Sequence, residues 1–160
     1  MILGTVYVLS GLPGSGKSTW AAKKAADQSC IVISRDAIRS MIGGNGKYIH
    51  KKKTESVVKE MATACALAAL NEGFDVIIDE CTPREAGRSY WPMALGDKYK
   101  FILVYFPEKK RNVDFRMKGD ARGLSRDYWS EVVGKMSAVY QVPSEDYNCG
   151  FSEMIKVEIE

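Results

Sequence analysis

The chain has 160 residues, of which 46% are hydrophobic and 27% are charged, and its formal net charge is +3. These values are ordinary for one globular domain with a continuous core, so they exclude a small scaffold that depends on disulfides or a structural metal. The four cysteines are scattered without paired or metal-ligand spacing, which indicates reduced thiols. Neither a signal peptide nor a bilayer-spanning apolar run is present, so we expect a cytoplasmic protein without membrane contact.

The first predicted elements form a strand, a loop and a helix. The apolar run Val6–Leu9 predicts a buried strand, and the stretch Lys17–Gln28, rich in Ala and Lys, predicts a helix. The loop between them reads Gly11-Leu-Pro-Gly-Ser-Gly-Lys-Ser-Thr19 and fits the phosphate-loop pattern G-x-x-x-x-G-K-[ST]. A glycine turn that only links strand to helix is the alternative, but both flanking elements favour the phosphate loop.

The predicted phosphate loop directs successive backbone N–H groups and the positive end of a helix dipole at one point, which suits a polyphosphate. Lys17 would reach the β- and γ-phosphates of ATP or another nucleoside triphosphate, and the Ser18 hydroxyl would bind Mg²⁺. The predicted nucleotide-binding residues of the loop are Gly11, Pro13, Gly14, Ser15, Gly16, Lys17, Ser18 and Thr19.

A second strand is predicted over Cys30–Ile33, and a short helix follows it over residues 37–42. Asp36 and Arg39 are three residues apart at the start of this helix, which places them on the same face. Spacing alone supports two interpretations equally. Asp36 and Arg39 could form a functional pair, or Asp36 could cap the helix while Arg39 is a solvated surface residue. The position beside the phosphate loop favours a carboxylate that orients an attacking hydroxyl and accepts its proton.

The densest basic stretch is Lys47-Tyr-Ile-His-Lys-Lys-Lys53, which leads into a long helix predicted from about Lys51 to Leu70. A groove that follows a phosphodiester backbone and stacks a base would have this composition. A solvated helix start would look the same, although cations are unfavourable at that end of the helix dipole. Nucleic-acid contact is the favoured interpretation, and we expect His50 to lie at the surface rather than to act as a general base.

A third strand is predicted over Phe74–Ile78, and Asp79 and Glu80 follow at its carboxyl end. This ending is typical of a Walker B motif, in which an acidic residue helps hold Mg²⁺ through water. In a second interpretation Asp79 braces Arg39 by an ion pair and hydrogen bond. Glu80 could share or take the metal role, and a simple acid before the next helix is the remaining alternative.

The rest of the chain continues to alternate helices and strands. Thr82-Pro-Arg-Glu85 predicts a capping box at the start of a helix that runs towards Leu95. The remaining predicted elements are strand Tyr99–Phe106, helix Glu108–Met117, helix Asp127–Tyr140 and a last strand Met154–Ile159. This alternation predicts one α/β domain over residues 1–160, with a parallel sheet and helices on both faces.

The polar segment Lys118–Arg126 combines two glycines with repeated arginines. This composition is typical of a lid whose arginines close over a nucleotide and neutralise charge on the transferring phosphoryl group. A solvated basic loop is the alternative. Spacing does not decide whether Arg116, Arg122 or Arg126 enters the site.

In combination, these motifs resemble the 5′-polynucleotide kinase family of the P-loop kinase superfamily, in particular the phage kinase domains. The resemblance is carried by the phosphate loop with Trp20-Ala, Ser34-Arg-Asp36 with Arg39, Lys47-Tyr48 with Lys51-Lys-Lys53, Ile77-Ile-Asp79 and Arg122-Gly123. It implies the P-loop kinase fold, a five-stranded parallel sheet in the order 2-3-1-4-5 with helices on both faces and an Arg-containing lid.

The resemblance also implies roles for individual residues. Lys17 and Ser18 would bind the donor phosphates and Mg²⁺, and Asp36 would be the general base for a 5′-hydroxyl. Arg39 would grip the neighbouring acceptor phosphate, Asp79 would brace Arg39, and Arg122 would be the lid arginine. Asp36 or Asp79 would also meet the metal through water. The residues expected to contact the acceptor strand are Arg35, Arg39, Tyr48, Lys51, Lys52, Glu80 and Thr82.

The implied reaction is Mg²⁺-dependent transfer of the γ-phosphate of ATP to the 5′-hydroxyl end of DNA or RNA, in end healing or repair. A functional link to a ligase is expected, with location in the host cytoplasm if the chain is phage-encoded. The phosphatase domain that accompanies the phage kinase does not follow here, so no 3′-phosphatase activity is expected. Two alternatives stay open: a kinase for a small hydroxyl metabolite or nucleoside, and an ATP-binding switch without kinase activity.

Overall fold

The fold is a five-stranded sheet with helices on both faces. It is described from a computed structural model over residues 1–120, 122–144 and 149–158. The strands are β1 (Thr5–Ser10), β2 (Cys30–Ser34), β3 (Asp75–Asp79), β4 (Lys100–Tyr105) and β5 (Glu153–Lys156). The helices are α1 (Lys17–Lys24), α2 (Arg35–Ile42), α3 (Lys52–Asn71), α4 (Glu85–Leu95), α5 (Asn112–Lys118) and α6 (Arg126–Val139).

The strands lie in the order β2-β3-β1-β4-β5, and all neighbouring pairs are parallel. This order confirms the predicted sheet of the P-loop kinase fold. β1 is central, since Val8 pairs with Ile78 of β3 on one side and with Leu103 of β4 on the other. Because parallel strands end on the same side, the segments that follow β1, β2 and β3 meet at one edge of the sheet.

The core has one cluster on each face of the sheet. On one face α3 buries a stripe of residues spaced four apart, as expected for one side of a helix: Val58, Ala62, Ala66 and Leu70. On the other face Ala21 of α1 packs with Leu9 and Phe106. Successive side chains of β1 point to opposite faces, so Val8 belongs to the first cluster and Leu9 to the second.

The start of α2 differs from the prediction in a way that bears on the site. The helix begins at Arg35, because Ser34 is its N-cap residue and the Ser34 hydroxyl accepts a hydrogen bond from the Ala37 amide at 3.3 Å. A serine therefore satisfies the amide donor that a capping aspartate would have taken. The Asp36 carboxylate is left for other contacts.

The predicted capping box at Thr82 is wrong. Helix α4 begins at Glu85, and its N-cap residue Arg84 makes no side-chain capping hydrogen bond. Thr82 has a φ of 38°, and its hydroxyl donates to the Leu9 carbonyl at 2.7 Å. A tertiary contact between the end of β1 and the segment after β3 thus uses the side chain that local spacing assigns to the helix.

Two other helix boundaries differ from the prediction. Helix α1 ends at Lys24, short of Gln28, which has a φ of 62° that a helix does not accommodate. Helix α5 begins at Asn112, because the Asn112 amide donates to the Lys109 carbonyl at 3.1 Å and its side chain accepts from the Lys109 amide at 3.2 Å. These paired hydrogen bonds close a turn where the sequence predicts the first helical turn.

The last strand, β5, covers Glu153–Lys156, and Ile159, its predicted end, lies outside the described residues. Across the part of the chain that the structure describes, no helix is both long enough and apolar enough to cross a bilayer.

A buried arginine ties three segments together beneath the site. Arg88 of α4 is only 1% exposed, and its Nε donates to the Ser10 hydroxyl at 3.1 Å and to the Thr82 carbonyl at 3.0 Å. Its Nη2 donates to the carbonyls of Pro83 and Gln141. Buried cations need compensating acceptors, and here the described residues supply neutral oxygens rather than a carboxylate. Arg88 thereby joins the end of β1 to the segment after α6.

We predict that Arg88→Met lowers the free energy of unfolding by roughly 3 kcal/mol, because several buried oxygens lose a charged donor. Urea titration measures the change. Arg84→Met is the matched control, since Arg84 is exposed and its side chain caps nothing. Equal stability losses in the two variants would contradict a structural role for the Arg88 hydrogen bonds.

Candidate active site

A broad cleft of about 1620 Å³ lies at the edge of the sheet where β1, β2 and β3 end. Most predicted site residues line it: Pro13, Gly14, Ser15, Gly16, Lys17, Ser18, Thr19, Arg35, Asp36, Arg39, Tyr48, Asp79, Glu80, Thr82, Arg116 and Arg122. Four other predicted candidates are not among the described residues that line the cleft: Gly11, Lys51, Lys52 and Arg126. The sheet therefore brings residues from six separate segments of the chain to one cavity.

The phosphate loop has the close contacts that require glycine. Gly14 has a φ of +76°, and a Cβ at this position would lie 1.9 Å from the Asn112 carbonyl oxygen. Gly11 lies behind the cleft, where a Cβ would be 2.8 Å from the Phe106 Cβ. Lys17 is buried, and its ammonium donates to the Gly11 carbonyl at 3.0 Å. The loop thus holds a positive charge at the place predicted for phosphates.

Ser18 and Asp79 form the predicted metal-binding pair. The Ser18 hydroxyl donates to Oδ2 of Asp79 at 2.8 Å. Burial raises the pKa of Asp79, while the hydrogen bond from Ser18 and the charge of Lys17 oppose the rise. Hydroxyl and carboxylate oxygens beside a phosphate site are donors that Mg²⁺ takes in P-loop enzymes, together with water and substrate oxygens. The chemistry of this pair fits a magnesium ion.

The guanidinium of Arg39 is shared between two carboxylates. Its Nη1 donates to Oδ1 of Asp36 at 2.7 Å, which matches the predicted contact across one helix face. Its Nε and Nη2 donate to Oε1 and Oε2 of Glu55 at 2.9 and 2.7 Å. The hydrogen bond from Arg39 lowers the pKa of Glu55. Such a two-point pair fixes the plane of the guanidinium as well as its charge.

Glu55 of α3 therefore provides the brace that the second interpretation of Asp79, and the family resemblance, expect from Asp79. The prediction for Asp79 is wrong on this point, because its carboxylate bonds Ser18 while Arg39 uses Asp36 and Glu55. Glu55 escapes sequence analysis because it lies 16 residues from Arg39, inside an unremarkable amphipathic helix. A glutamate in the first turn of α3 is expected to interact favourably with the helix dipole, so its position gives no sign of a contact with Arg39.

Among the described residues, hydrogen-bond donors contact only one carboxylate oxygen of Asp36, its Oδ1. Tyr48 donates its hydroxyl to the same Oδ1 that Arg39 contacts, at 2.9 Å. Burial, together with the charge of Asp36 and the hydrogen bond to it, raises the pKa of Tyr48 to about 12, so Tyr48 remains a donor at neutral pH. The Asp36 side chain is 64% exposed, and its Oδ2 receives no hydrogen bond from the described residues. The second oxygen is available to a ligand in the cleft.

Two of the three candidate lid arginines reach the cleft. Arg122 lies over the Tyr48 ring, 4.5 Å from its centroid, and is 5.3 Å from the centroid of Trp129. Arg116 lies 4.3 Å from the centroid of Trp129. Arg126 pairs instead with a carboxylate of α5. Arg122 is the one that contacts Tyr48, and through Tyr48 it is linked to Asp36.

Asp120, which the sequence analysis missed, makes several hydrogen bonds within the predicted lid segment Lys118–Arg126. Its side chain is 2% exposed, and its carboxylate accepts hydrogen bonds from the Leu124 amide (2.8 Å), the Trp129 indole (3.0 Å) and the Arg122 amide (3.0 Å). Burial opposes ionisation, but these hydrogen bonds outweigh it and hold the pKa of Asp120 at about 2. The available signal was an aspartate two residues before Arg122, a spacing typical of local side-chain turns.

The remaining predicted acceptor residues are less open than expected. Arg35 pairs with Glu80, with 2.6 Å between Nε and Oε1, and burial raises the pKa of Glu80 against the effect of Arg35. The Thr82 hydroxyl is buried and committed to a backbone carbonyl, so the predicted contact of Thr82 with an acceptor strand does not fit. His50 is exposed, as expected.

The comparisons with known proteins agree with this fold. A protein-family profile described as an AAA domain matches residues 6–143. A chain from the structure of the Pnkp1/Rnl/Hen1 RNA repair complex is 19% identical with a TM-score of 0.69, and the match covers 87% of this chain and 46% of that chain. This chain therefore spans less than half the length of that relative. Comparison with the curated proteins gives no match.

Two further solved structures are similar over more of their length. A fungal RNA kinase is 16% identical with a TM-score of 0.68, and the match covers 98% of this chain and 75% of that chain. The Mycobacterium tuberculosis APS kinase CysC, in complex with AMPPNP and APS, is 18% identical with a TM-score of 0.65, over 100% of this chain and 92% of that chain. At these identities the likenesses establish the P-loop kinase fold.

We predict that the stabilising effect of Asp120 depends on pH. Asp120→Asn should lower the free energy of unfolding near neutral pH, because several donors lose a charged acceptor. The folded-state pKa of about 2 lies below the ordinary value of 3.8, so this contribution is present above about pH 4 and is lost as the pH falls towards 2. The difference in unfolding free energy between wild type and variant should shrink over that interval in urea titrations.

Asp127→Asn is the control for this measurement, because it removes an exposed carboxylate close to the same loop. A gap between wild type and Asp120→Asn that stays constant between about pH 6 and about pH 3 would contradict the assigned role. So would a gap that matches the one caused by Asp127→Asn at each pH.

Proposed function

We propose that this chain, which belongs to the AAA domain family, transfers the γ-phosphate of ATP to the 5′-hydroxyl end of a DNA or RNA strand. The observation that carries the proposal is the carboxylate of Asp36 in the cleft beside the phosphate loop. Arg39 and Tyr48 hold its Oδ1, so Oδ2 is left to take a proton from an attacking hydroxyl.

In the proposed reaction the 5′-hydroxyl oxygen of the acceptor forms a bond to the γ-phosphorus. The bond between that phosphorus and the oxygen bridging to the β-phosphate breaks, and ADP leaves with the electron pair. The hydroxyl proton passes to Oδ2 of Asp36. Tyr48 does not compete for this proton, because its raised pKa of about 12 keeps its hydroxyl protonated.

Positive charge for the donor phosphates comes from the loop and the lid. Lys17 would exchange its hydrogen bonds with loop carbonyls for bonds to the phosphates, and Arg122 and Arg116 are the lid residues that line the same cleft. Ser18 and Asp79 would hold Mg²⁺, which when bound neutralises charge on the phosphates.

Arg39 is suited to bind the phosphate next to the acceptor hydroxyl. A guanidinium has five N–H groups, and Asp36 and Glu55 occupy three of those on Arg39. Among the described residues these contacts leave, by count, one N–H on each terminal nitrogen, and these two groups can donate to phosphate oxygens. This favours an acceptor that carries a phosphate beside its hydroxyl, as a nucleic-acid strand does.

The similar structures support a nucleic-acid acceptor through an RNA repair complex and an RNA kinase, and a functional link to a ligase stays part of the proposal. A second candidate function is a kinase for a small hydroxyl metabolite. The similarity to the APS kinase favours this candidate, because the match covers 100% of this chain and 92% of that chain. The phosphate contact proposed for Arg39 favours the polymer.

We predict that Asp36→Asn reduces phosphoryl transfer to a 5′-hydroxyl oligonucleotide by about 100-fold or more, because it removes the proton acceptor. Transfer of label from γ-labelled ATP measures this loss, and binding of a fluorescent ATP analogue should change little. Asp27→Asn, which removes a carboxylate away from the cleft, is the control. Near-wild-type transfer by Asp36→Asn would rule out Asp36 as the general base.

We also predict that Glu55→Gln raises the KM for the oligonucleotide by about tenfold, because Arg39 loses its charged, two-point partner. The KM for ATP should stay within about twofold, since the hydrogen bonds and ion pairs of Glu55 with the described residues are to Arg39 and His50, not to the phosphate loop. Glu60→Gln, on the exposed side of the same helix, is the matched control. An equal rise in the KM for ATP would show that Glu55 does not act through the acceptor site.

A further inference from the structure

We infer that Lys59 of α3 and Tyr90 of α4 form a second contact region for the acceptor strand, on the wall of the cleft that also contains Asp36 and Arg39. This inference rests on the proposed function, because it concerns the nucleotides that follow the one whose 5′-hydroxyl reacts. The region would bind single-stranded DNA or RNA through one phosphodiester group and one base.

The ammonium of Lys59 has no anionic partner among the described residues. A glutamate four residues before a lysine normally pairs with it along a helix, and Glu55 has that spacing. Both carboxylate oxygens of Glu55, however, accept hydrogen bonds from Arg39. The geometry that fixes Arg39 therefore leaves the charge of Lys59 unmatched inside the cleft.

Tyr90 presents a fixed aromatic ring beside this charge. The ammonium of Lys59 lies 4.1 Å from the centroid of the Tyr90 ring. The Tyr90 hydroxyl shares a hydrogen bond with the Thr63 hydroxyl of α3 at 2.7 Å, and the ring packs edge-on against buried Trp91. A half-buried ring whose orientation is set by its neighbours stacks a base at low entropic cost.

The other cations on this wall are already neutralised. The guanidinium of Arg35 lies 6.0 Å from the centroid of Tyr90, but it is paired with Glu80. The guanidinium of Arg39 is paired with Asp36 and Glu55. Proteins that bind single strands combine an aromatic ring with an unpaired cation in a groove, and Lys59 with Tyr90 supplies both.

This region replaces part of the predicted nucleic-acid interface. Lys51 and Lys52 do not line the cleft within the part of the chain that the structure describes, whereas Lys59, about two helical turns further along α3, does. The polymer contact thus lies deeper along α3 than the basic stretch suggests. A contact with a further nucleotide at this position would let the cleft favour a strand over a mononucleotide.

The test compares Lys59→Ala with Lys98→Ala, which removes an exposed lysine outside both the cleft and the basic stretch Lys47–Lys53. Acceptors are a 5′-hydroxyl oligonucleotide and a nucleoside 3′-monophosphate, with ATP in excess. Lys59→Ala should raise the KM for the oligonucleotide about tenfold and leave the KM for the mononucleotide within about twofold. It should also reduce the slope of log KM against log salt for the oligonucleotide by about 0.7, the value for one lost phosphate contact.

A second pair of variants separates the ring from the hydroxyl. Tyr90→Leu should raise the KM for the oligonucleotide about tenfold, and Tyr90→Phe, which keeps the ring, should remain within about threefold of wild type. The contact region is overturned if Lys59→Ala behaves like Lys98→Ala on the oligonucleotide, or if it impairs both acceptors equally.

Failure of the proposed function would look different. If the wild type transfers phosphate to no nucleic acid, that function falls, and fluorescence anisotropy with a labelled 5′-hydroxyl oligonucleotide then decides the contact region. Weaker binding by Lys59→Ala than by Lys98→Ala supports it. Equal binding by wild type and both variants overturns it.

Discussion

The parallel register of β2, β3 and β1 is the constraint on which the site depends. Ser34 at the end of β2 pairs with Asp79 at the end of β3, and β1 lies directly beside β3. This register lets Ser18, just after the phosphate loop, reach Asp79 at 2.8 Å. A slip of one residue would turn Asp79 to the other face of the sheet and break this contact. The phosphate loop and the pair of Asp36 and Arg39 lie in one cleft because three strands end together.

Charge in the cleft is divided between two kinds of cation. The guanidinium groups of Arg35 and Arg39 are paired with carboxylates, which fixes their planes. Among the described residues the ammonium of Lys17 bonds only neutral oxygens, and that of Lys59 lies over a ring. Arginine suits fixed two-point recognition and lysine acts as a movable point charge. The arginines would therefore orient the acceptor, and the lysines would follow the phosphates.

The parts of this site that depend on neighbouring residues could be predicted from the sequence. The phosphate loop has a fixed spacing, and Asp36 contacts Arg39 because one helical turn separates them. The sheet order followed from the family resemblance and is confirmed. Local patterns also misled, because Thr82 fits a capping box but bonds Leu9, which is 73 positions away along the chain. Propensity could not reveal a partner so distant in sequence.

The features that the sequence did not predict depend on contacts between distant segments of the chain. Glu55 braces Arg39 from another helix, and Arg88 donates to four oxygens that come from three segments of the chain. A buried arginine without a carboxylate gives no sequence signal, since arginine at a helical position reads as surface. Asp120 is similar, because no sequence pattern shows that its carboxylate accepts hydrogen bonds from the Leu124 amide and from the indole of Trp129 in α6.

We propose that the cleft phosphorylates the 5′-hydroxyl of a strand. The most direct measurement supplies γ-labelled ATP with parallel acceptors: 5′-hydroxyl DNA, 5′-hydroxyl RNA, the same strands with a 5′-phosphate, a nucleoside, a hexose and APS. We predict label on strands that end in a 5′-hydroxyl and none on strands that end in a 5′-phosphate. Label on a small acceptor alone, or ATP hydrolysis without any labelled acceptor, would contradict the claim.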